Sequence, residues 1–533
     1  MVDQSILWSF TVIYMLVTAY LAYRGYKKTK CCADYLLAGR NIHPVVLGLS
    51  YGATFISTAA IIGFGGVAAQ LGMGIIWLTV LNIGIGVLLA FILFGKPTRR
   101  IGQALGALTF PDLLGKIYKS SFMQYSTAIM LLIGMPLYSS AVLIGGSRFI
   151  ETTLGIPFEW AVLGLTGITA AYVVVGGLVA VMYTDALQGA IMVFGMSAIM
   201  ILTLVALGGL GSFQDLTNIA HLVPSGLANA GMTGWTSFPE LGSSLWYTMV
   251  TTIILGVGIG VLAQPQLAVR FMTAKDGRSL NRAIPIGALF ILITTGVTYT
   301  MGPLTNLYFL EHNGALATQA VAGGNIDLIV PTFINAAMPD WLVVLFMLTL
   351  LAAAMSTMSS LFHVMGSAAG HDIWVHLRKS KIWPESMRGS DEDRSKLKVN
   401  KIGTAIMILI SLVLAFIMPG NIIARATAMF MGLCAAAFLP AYSMGVFCKK
   451  PSLLAAKMSL VVGAISWFVW TAFVHVKESK ELGLANLVTG NDAVLSFPWT
   501  VIDPVLIALP LSVAALLIGW WLETRRTVVL ADA

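Results

Sequence analysis

The stretch Gly48–Gly66, GLSYGATFISTAAIIGFGG, is apolar enough to lie in a bilayer, yet glycine interrupts it repeatedly. Glycine inside a helix costs about 1 kcal/mol relative to alanine, and a helix broken within hydrocarbon must satisfy its freed backbone groups from partners around it. A second segment, Ile254–Phe271, ILGVGIGVLAQPQLAVRF, has the same character and adds Pro265. If each opens a block of five spans, the two blocks run in opposite orientation. That is the layout of an inverted-repeat secondary transporter with discontinuous helices at the bilayer midplane. The blocks share no letter-for-letter repeat, and glycine also serves close helix packing, so the two segments alone leave both readings open. GVGIG is not a nucleotide loop, since no strand or acidic ribose partner accompanies it.

The remainder of the 533 residues is of the same kind, 58% hydrophobic and 10% charged, against roughly a quarter charged in a soluble domain. Apolar runs of about 17 to 25 residues can cross the hydrocarbon core. Thirteen recur here: Ile6–Tyr23, Pro44–Ala69, Ile75–Phe94, Phe122–Ile144, Trp160–Val181, Leu187–Leu207, Leu245–Val269, Ala283–Tyr308, Leu342–Ala368, Ile402–Pro419, Ala426–Phe447, Leu454–Val474 and Pro504–Leu522. They predict an all-α polytopic membrane protein. Its expected parts are an N-terminal helix and inner loop (1–43), a first five-helix repeat (44–207), an outer loop (208–244), a second repeat (245–447), and two C-terminal helices with a short tail (448–533).

All Lys and Arg except Arg148, Arg425, Lys477 and Lys480 fall at the same alternate ends of these spans, which places the N-terminus outside and the C-terminus in the cytoplasm. The net charge of +8 then reflects basic loops facing anionic lipid rather than nucleic acid. The first span lacks a basic leader and a small-residue cleavage site, so it reads as a retained helix. Cys31, Cys32, Cys434 and Cys448 have the spacing of neither a disulfide framework nor a metal site. The inner loop His371–Lys401 carries the densest charge, including SDEDRSKLK, with the mixed signs of a solvated linker. The segments Gly208–Glu240 and Glu311–Asp340 are long enough for short gating helices.

Span nine contains LLAAAMSTMSS, Leu350–Ser360. At 3.6 residues per turn, Ala353, Ser356, Thr357 and Ser360 share one stripe, with Ser359 beside it. Hydroxyls and carbonyls can replace the water shell of an alkali ion without the roughly 3 kcal/mol cost of a carboxylate at a helix centre. Interhelical hydrogen bonding is the plainer use of such residues. One acid, Asp185, lies in a nearly uninterrupted apolar stretch, and an intramembrane acid is a candidate functional group. It could also serve as the N-cap of span six. One ion near Ala353, Ser356 and Thr357 and a second nearer Ser359, Ser360 and Asp185 would use all of these groups.

Several motifs resemble those of the sodium/solute symporters, the family of sodium-coupled sugar, proline, pantothenate, sialic acid and monocarboxylate carriers. DYLLAGR (Asp34–Arg40) resembles the family's entry motif. YVVVGGLVA (Tyr172–Ala180) running into TDALQG resembles its signature, AQPQLAVRFMTAKD (Ala263–Asp276) its Gln-Pro segment, and LLAAAMSTMSS its sodium-binding helix. The resemblance implies a 5+5 inverted-repeat core of the leucine-transporter type, with spans two and seven broken. It implies a first sodium site from the carbonyls of Ala53, Ile56 and Ala353 with the hydroxyls of Ser356 and Thr357. A second site would take Asp185, Ser356, Ser359 and Ser360. Solute contacts fall at Thr54, Ser57, Thr58, Tyr138 and Gln264, and no cofactor is implied.

Proline permeases share a tyrosine like Tyr138 but carry Asp at Phe55 and aromatics at Val257 and Val261, so proline is disfavoured. Sialic acid carriers have a mid-helix arginine with no counterpart in span four, since Arg148 lies too far outward. GSRFIETTLGIP (Gly146–Pro157) and IDLIVPTFINAAMP (Ile326–Pro339) resemble the pantothenate and monocarboxylate branch. The expectation is sodium-coupled import of a small organic monoanion, with a neutral amino acid as the alternative. An enzyme is not expected: His363 is the one mid-span histidine, and its own span holds no acid to orient it. A transporter-like sensor would need an output domain, and the chain ends soon after its last span. A channel differs in lacking coupling.

Overall fold

The computed structural model describes residues 4–374, 377, 393–418 and 423–531, and among them every regular element is helical. The membrane helices are α1 (Gln4–Lys28), α2 in two halves (Pro44–Phe55 and Ala59–Leu71), α3 (Met73–Ala104), α4 (Ser121–Leu154), a 49-residue run (Phe158–Ala206), α7 (Ser244–Ala263, continued after a break as Pro265–Thr273), α8 (Gly277–Asn313), α9 (Asp340–Trp374), α10 (Ser395–Ile417), α11 (Ile423–Phe447), α12 (Leu453–Phe473) and α13 (Pro504–Arg525).

The long run is two spans. As one helix it would extend about 74 Å, more than twice the roughly 30 Å hydrocarbon core. At Gly177 the backbone leaves helical geometry (φ 59°, ψ −158°), giving α5 (158–176) and α6 (178–206). Tyr172 bonds to Met355 on α9, Asp185 lies opposite Ser359, and Gly195 packs on Thr349. The chain therefore turns back along α9, and the total is the expected thirteen. The turn between spans five and six falls at Gly177, ahead of residues 182–186 where the span bounds read from sequence place it. A Cβ at Gly177 would lie 2.5 Å from Tyr35 Cδ2, and the Tyr35 hydroxyl donates to the Val173 carbonyl at 3.4 Å. Glycine is needed at this turn because the DYLLAGR motif stands directly on it.

α2 and α7 run antiparallel. Ile42 N donates to Thr273 O at 3.3 Å, so the entry to the first half of α2 pairs with the exit of α7 at the face carrying the Lys- and Arg-rich loops. At the opposite face the second half of α2 is held by its neighbours. The Ala69 carbonyl accepts from Trp235 Nε1 at 3.1 Å and from Asn306 Nδ2 at 2.8 Å. α9 and α11 are the interior helices, each with 89% of its apolar window buried against 28% for α1, α12 and α13, so the last three form the periphery. The outer segments do contain short helices, among them Ser212–Asn218 and Ile329–Ala337. The charged inner loop lies largely outside the described residues.

Candidate functional site

The first half of α2 ends at Phe55. Ile56 has left the helix (φ −92°, ψ 108°), and the axis turns by 56° before Ala59–Leu71. The last carbonyls of a helix have no intrahelical donor, and at this break the donors come from α9. Ser356 Oγ donates to the Ala53 carbonyl at 2.8 Å and to Ala353 O at 3.3 Å. Thr357 Oγ1 donates to Ala53 O at 3.3 Å and to Thr54 O at 3.2 Å. Ala53, Ala353, Ser356 and Thr357 are fully buried and Ile56 is 1% exposed. Of the residues expected at the first sodium site, Ala53, Ala353, Ser356 and Thr357 are thus together, with Ile56 at the break itself, where oxygen ligands of the kind alkali ions prefer converge.

One turn nearer the basic face is a second cluster. Asp185 Oδ1 accepts from Ser359 Oγ at 3.2 Å, and Oδ2 accepts from Ser50 Oγ at 3.0 Å, Thr54 Oγ1 at 3.2 Å and Ser360 Oγ at 3.4 Å. Asp185 lies well inside α6 rather than at its start, so it caps nothing. The structure adds a group that sequence reasoning did not place here: Arg270, 1% exposed, whose Nη2 stands 2.7 Å from Asp185 Oδ2 and 2.6 Å from Ser360 Oγ. Its Nε donates to Ser50 at 3.1 Å and its Nη1 to Gln266 O at 2.7 Å. The signal was available, since a buried acid calls for a cationic partner and Arg270 follows the Gln264–Pro265 break directly.

The expected solute contacts divide. Thr54 belongs to the Asp185 cluster, also bonding Ser360 Oγ at 2.8 Å. Ser57 Oγ accepts from Ala59 N at 3.1 Å, and Thr58 donates to Val142 O at 3.2 Å, so both brace the broken helix. Tyr138, 1% exposed, stacks on Phe430 with ring centroids 5.7 Å apart. Gln264 Oε1 accepts from Gln266 Nε2 at 2.6 Å, which leaves Gln264 Nε2 and Gln266 Oε1 buried without partners. Exchanging N and O in both amides still leaves one donor and one acceptor unmatched. Phe55 and Val261 both crowd Gly86, making the wall beside the break apolar.

Comparison with known proteins bears on the family and the fold. A family model described as "Sodium:solute symporter family" matches residues 35–463. The chain is 25% identical to the sodium/pantothenate symporter of Haemophilus influenzae over 483 residues, covering 89% of this chain and 93% of that protein. It is 23% identical to the sodium/proline symporter of Escherichia coli over 480 residues, covering 89% and 88%. Its fold is that of a solved sodium-coupled sialic acid symporter in a substrate-bound outward-open state, with a TM-score of 0.72, 18% identity and 96% of each chain covered.

Proposed function

The chain belongs to the sodium:solute symporter family, and on that premise we propose that it imports a small organic monoanion, a monocarboxylate in kind, with sodium across the cell membrane by alternating access. This reading puts the N-terminus outside and the C-terminus in the cytoplasm, and the distribution of basic residues supports it. The observation that carries the ion side is the pair of α9 hydroxyls, Ser356 and Thr357, on the carbonyls freed where α2 breaks. An ion held there joins two helices that must part for inward release, so its binding favours the outward state.

The second set, Asp185 with Ser356, Ser359 and Ser360, would take an ion only with Arg270 displaced from Asp185. With Arg270 Nη2 at 2.7 Å the carboxylate is already balanced by a fixed charge, which favours one coupled ion in this conformation. The consequence is large. One sodium with a monoanion is electroneutral, and a tenfold sodium gradient supports about tenfold accumulation. Two sodiums at 100 mV supply roughly 5 kcal/mol, or several thousandfold.

For the solute, the unmatched amide donor and acceptor at Gln264 and Gln266 suit a molecule bearing both a carboxylate oxygen and a donor, such as a hydroxylated monocarboxylate. The relatives' names include one carboxylate, pantothenate, and one amino acid, proline. A neutral amino acid satisfies the same two atoms and is the second reading. The deciding experiment is uptake into proteoliposomes under an imposed sodium gradient, over lactate, acetate, pyruvate, pantothenate and the amino acids. Accumulation of a monocarboxylate above equilibrium, with KM raised in Gln264→Leu, is expected. Accumulation of amino acids alone would overturn the anion assignment, and equilibration without accumulation would indicate a channel.

A further inference from the structure

On the face opposite the basic loops, a cavity of about 920 Å³ lies between the second half of α2, the first half of α7, the start of α11 and the connector that follows α12. Its charged lining is unequal. Asp327, Glu478, Glu481 and Asp503 face it against the fixed cations Arg425 and Lys477. A cleft lined by an excess of one sign between low-dielectric walls concentrates the opposite ion.

Most of these acids are already engaged. Glu478 bonds to His475, Glu481 stands 3.8 Å from Arg425, and Asp503 Oδ1 accepts from Val505 N at 2.9 Å at the start of α13. Asp327 differs. It is 6% exposed, its backbone N–H is held by Asn325 Oδ1 at 3.1 Å, and among the described residues no donor reaches its carboxylate. Thr471, 2% exposed on the same cavity, has a hydroxyl without a partner. Buried polar atoms are almost always matched, so the bare Thr471 hydroxyl, on the same cavity onto which the Asp327 carboxylate opens, points with that carboxylate to a ligand carrying positive charge. The amides of Gln70 and Asn325 line the same space, and carboxylate, amide and hydroxyl oxygens are the ligands of a hard monovalent cation.

We propose that Asp327 anchors a weak sodium-loading site in this vestibule, which holds the ion before it reaches Ser356 and Thr357. The proposal rests on the sodium-symport reading above. One buried carboxylate with neutral oxygens binds weakly, which suits a site that must pass its ion onward. The competing use of Asp327 is an ion pair with Arg425 that latches the vestibule shut.

The test is binding of radioactive sodium to the purified full-length protein, with ionic strength held constant by choline chloride. Asp327→Asn is near-isosteric and breaks no hydrogen bond, so the fold is retained. The native protein is expected to show a tighter and a weaker class of sodium site. Asp327→Asn should lose the weaker class alone, and Thr357→Ala the tighter class alone. Arg425→Gln, by removing a positive charge from the same cavity, should tighten the weaker class roughly two- to fivefold. Retention of both classes in Asp327→Asn overturns the loading site, as does tighter overall sodium binding in that variant, which is the result a broken latch would give. Absence of saturable sodium binding in the native protein would instead overturn the symport reading itself.

Discussion

Arg270 Nη2 lies 2.7 Å from Asp185 Oδ2, and the two side chains are enclosed at 1% and 0% exposure. Asp185 lies on α6 and Arg270 on the continuation of α7, so the pair ties these two elements together, with Ser50 of α2 and Ser360 of α9 also bonded to Arg270. Such a pair gives little net stability over an apolar replacement, but losing one partner strands a buried charge.

Asp185→Asn is therefore expected to cost roughly 3 to 5 kcal/mol, seen as a clear drop in the thermal unfolding temperature of the purified protein. Combining it with Arg270→Gln should recover much of the loss, since no unpaired charge remains. Equal stability of Asp185→Asn and the native protein would mean that the guanidinium finds another counter-charge. In the same variant, sodium-to-solute stoichiometry measured from reversal potentials should stay unchanged, as one coupled ion requires; a fall from two to one would place a second ion at the Asp185 set.

Ser356→Ala removes a hydroxyl from the Ala53 carbonyl, and Thr357→Ala removes one from the carbonyls of Ala53 and Thr54. Uptake in either variant should lose its dependence on sodium, with solute uptake under a sodium gradient falling at least tenfold. Retained sodium dependence with unchanged apparent affinity in both variants would place the coupling ion elsewhere.

Gly177→Ala should lower stability by more than 1 kcal/mol, because φ is +59° and the new Cβ meets Tyr35. Gly164→Ala provides the control. Nothing lies within 4 Å of a Cβ there, and alanine favours the helix. Thermal stability in detergent should fall for the first and hold or rise for the second.

Burial pushes the Asp327 carboxyl up to about 6, with the positive charge of Arg425 working in the opposite direction. Sodium capture requires the ionised form. The weaker class of sodium site should be fully present above pH 7 and vanish as the pH falls through about 6. Asp327→Asn should lack the transition, even though Asp503, likewise raised to about 6 by burial, is still present. Persistence of the transition in that variant would assign it to Asp503.

Much of this molecule is legible from its letters. The thirteen spans follow from hydrophobicity and length, and the hydroxyl stripe of α9 from helical periodicity. The two breaks follow from glycine and proline, whose conformational preferences act on the backbone where they sit. These are local properties, so the chain alone determined them, whereas the meeting of Ser356 with the α2 break was implied by the family resemblance and joins groups 303 residues apart. What only tertiary structure decided is which distant groups share a space. Arg270 reads as an end-of-span cation until folding brings it 85 residues back along the chain to Asp185. Likewise only folding sets Thr54 beside Ser360 and closes a cavity around Asp327 from four separate elements. Charge and hydrogen-bond balance in a low-dielectric interior depend on every group within a few ångströms, and proximity of that kind is a property of packing, which no single stretch of sequence contains.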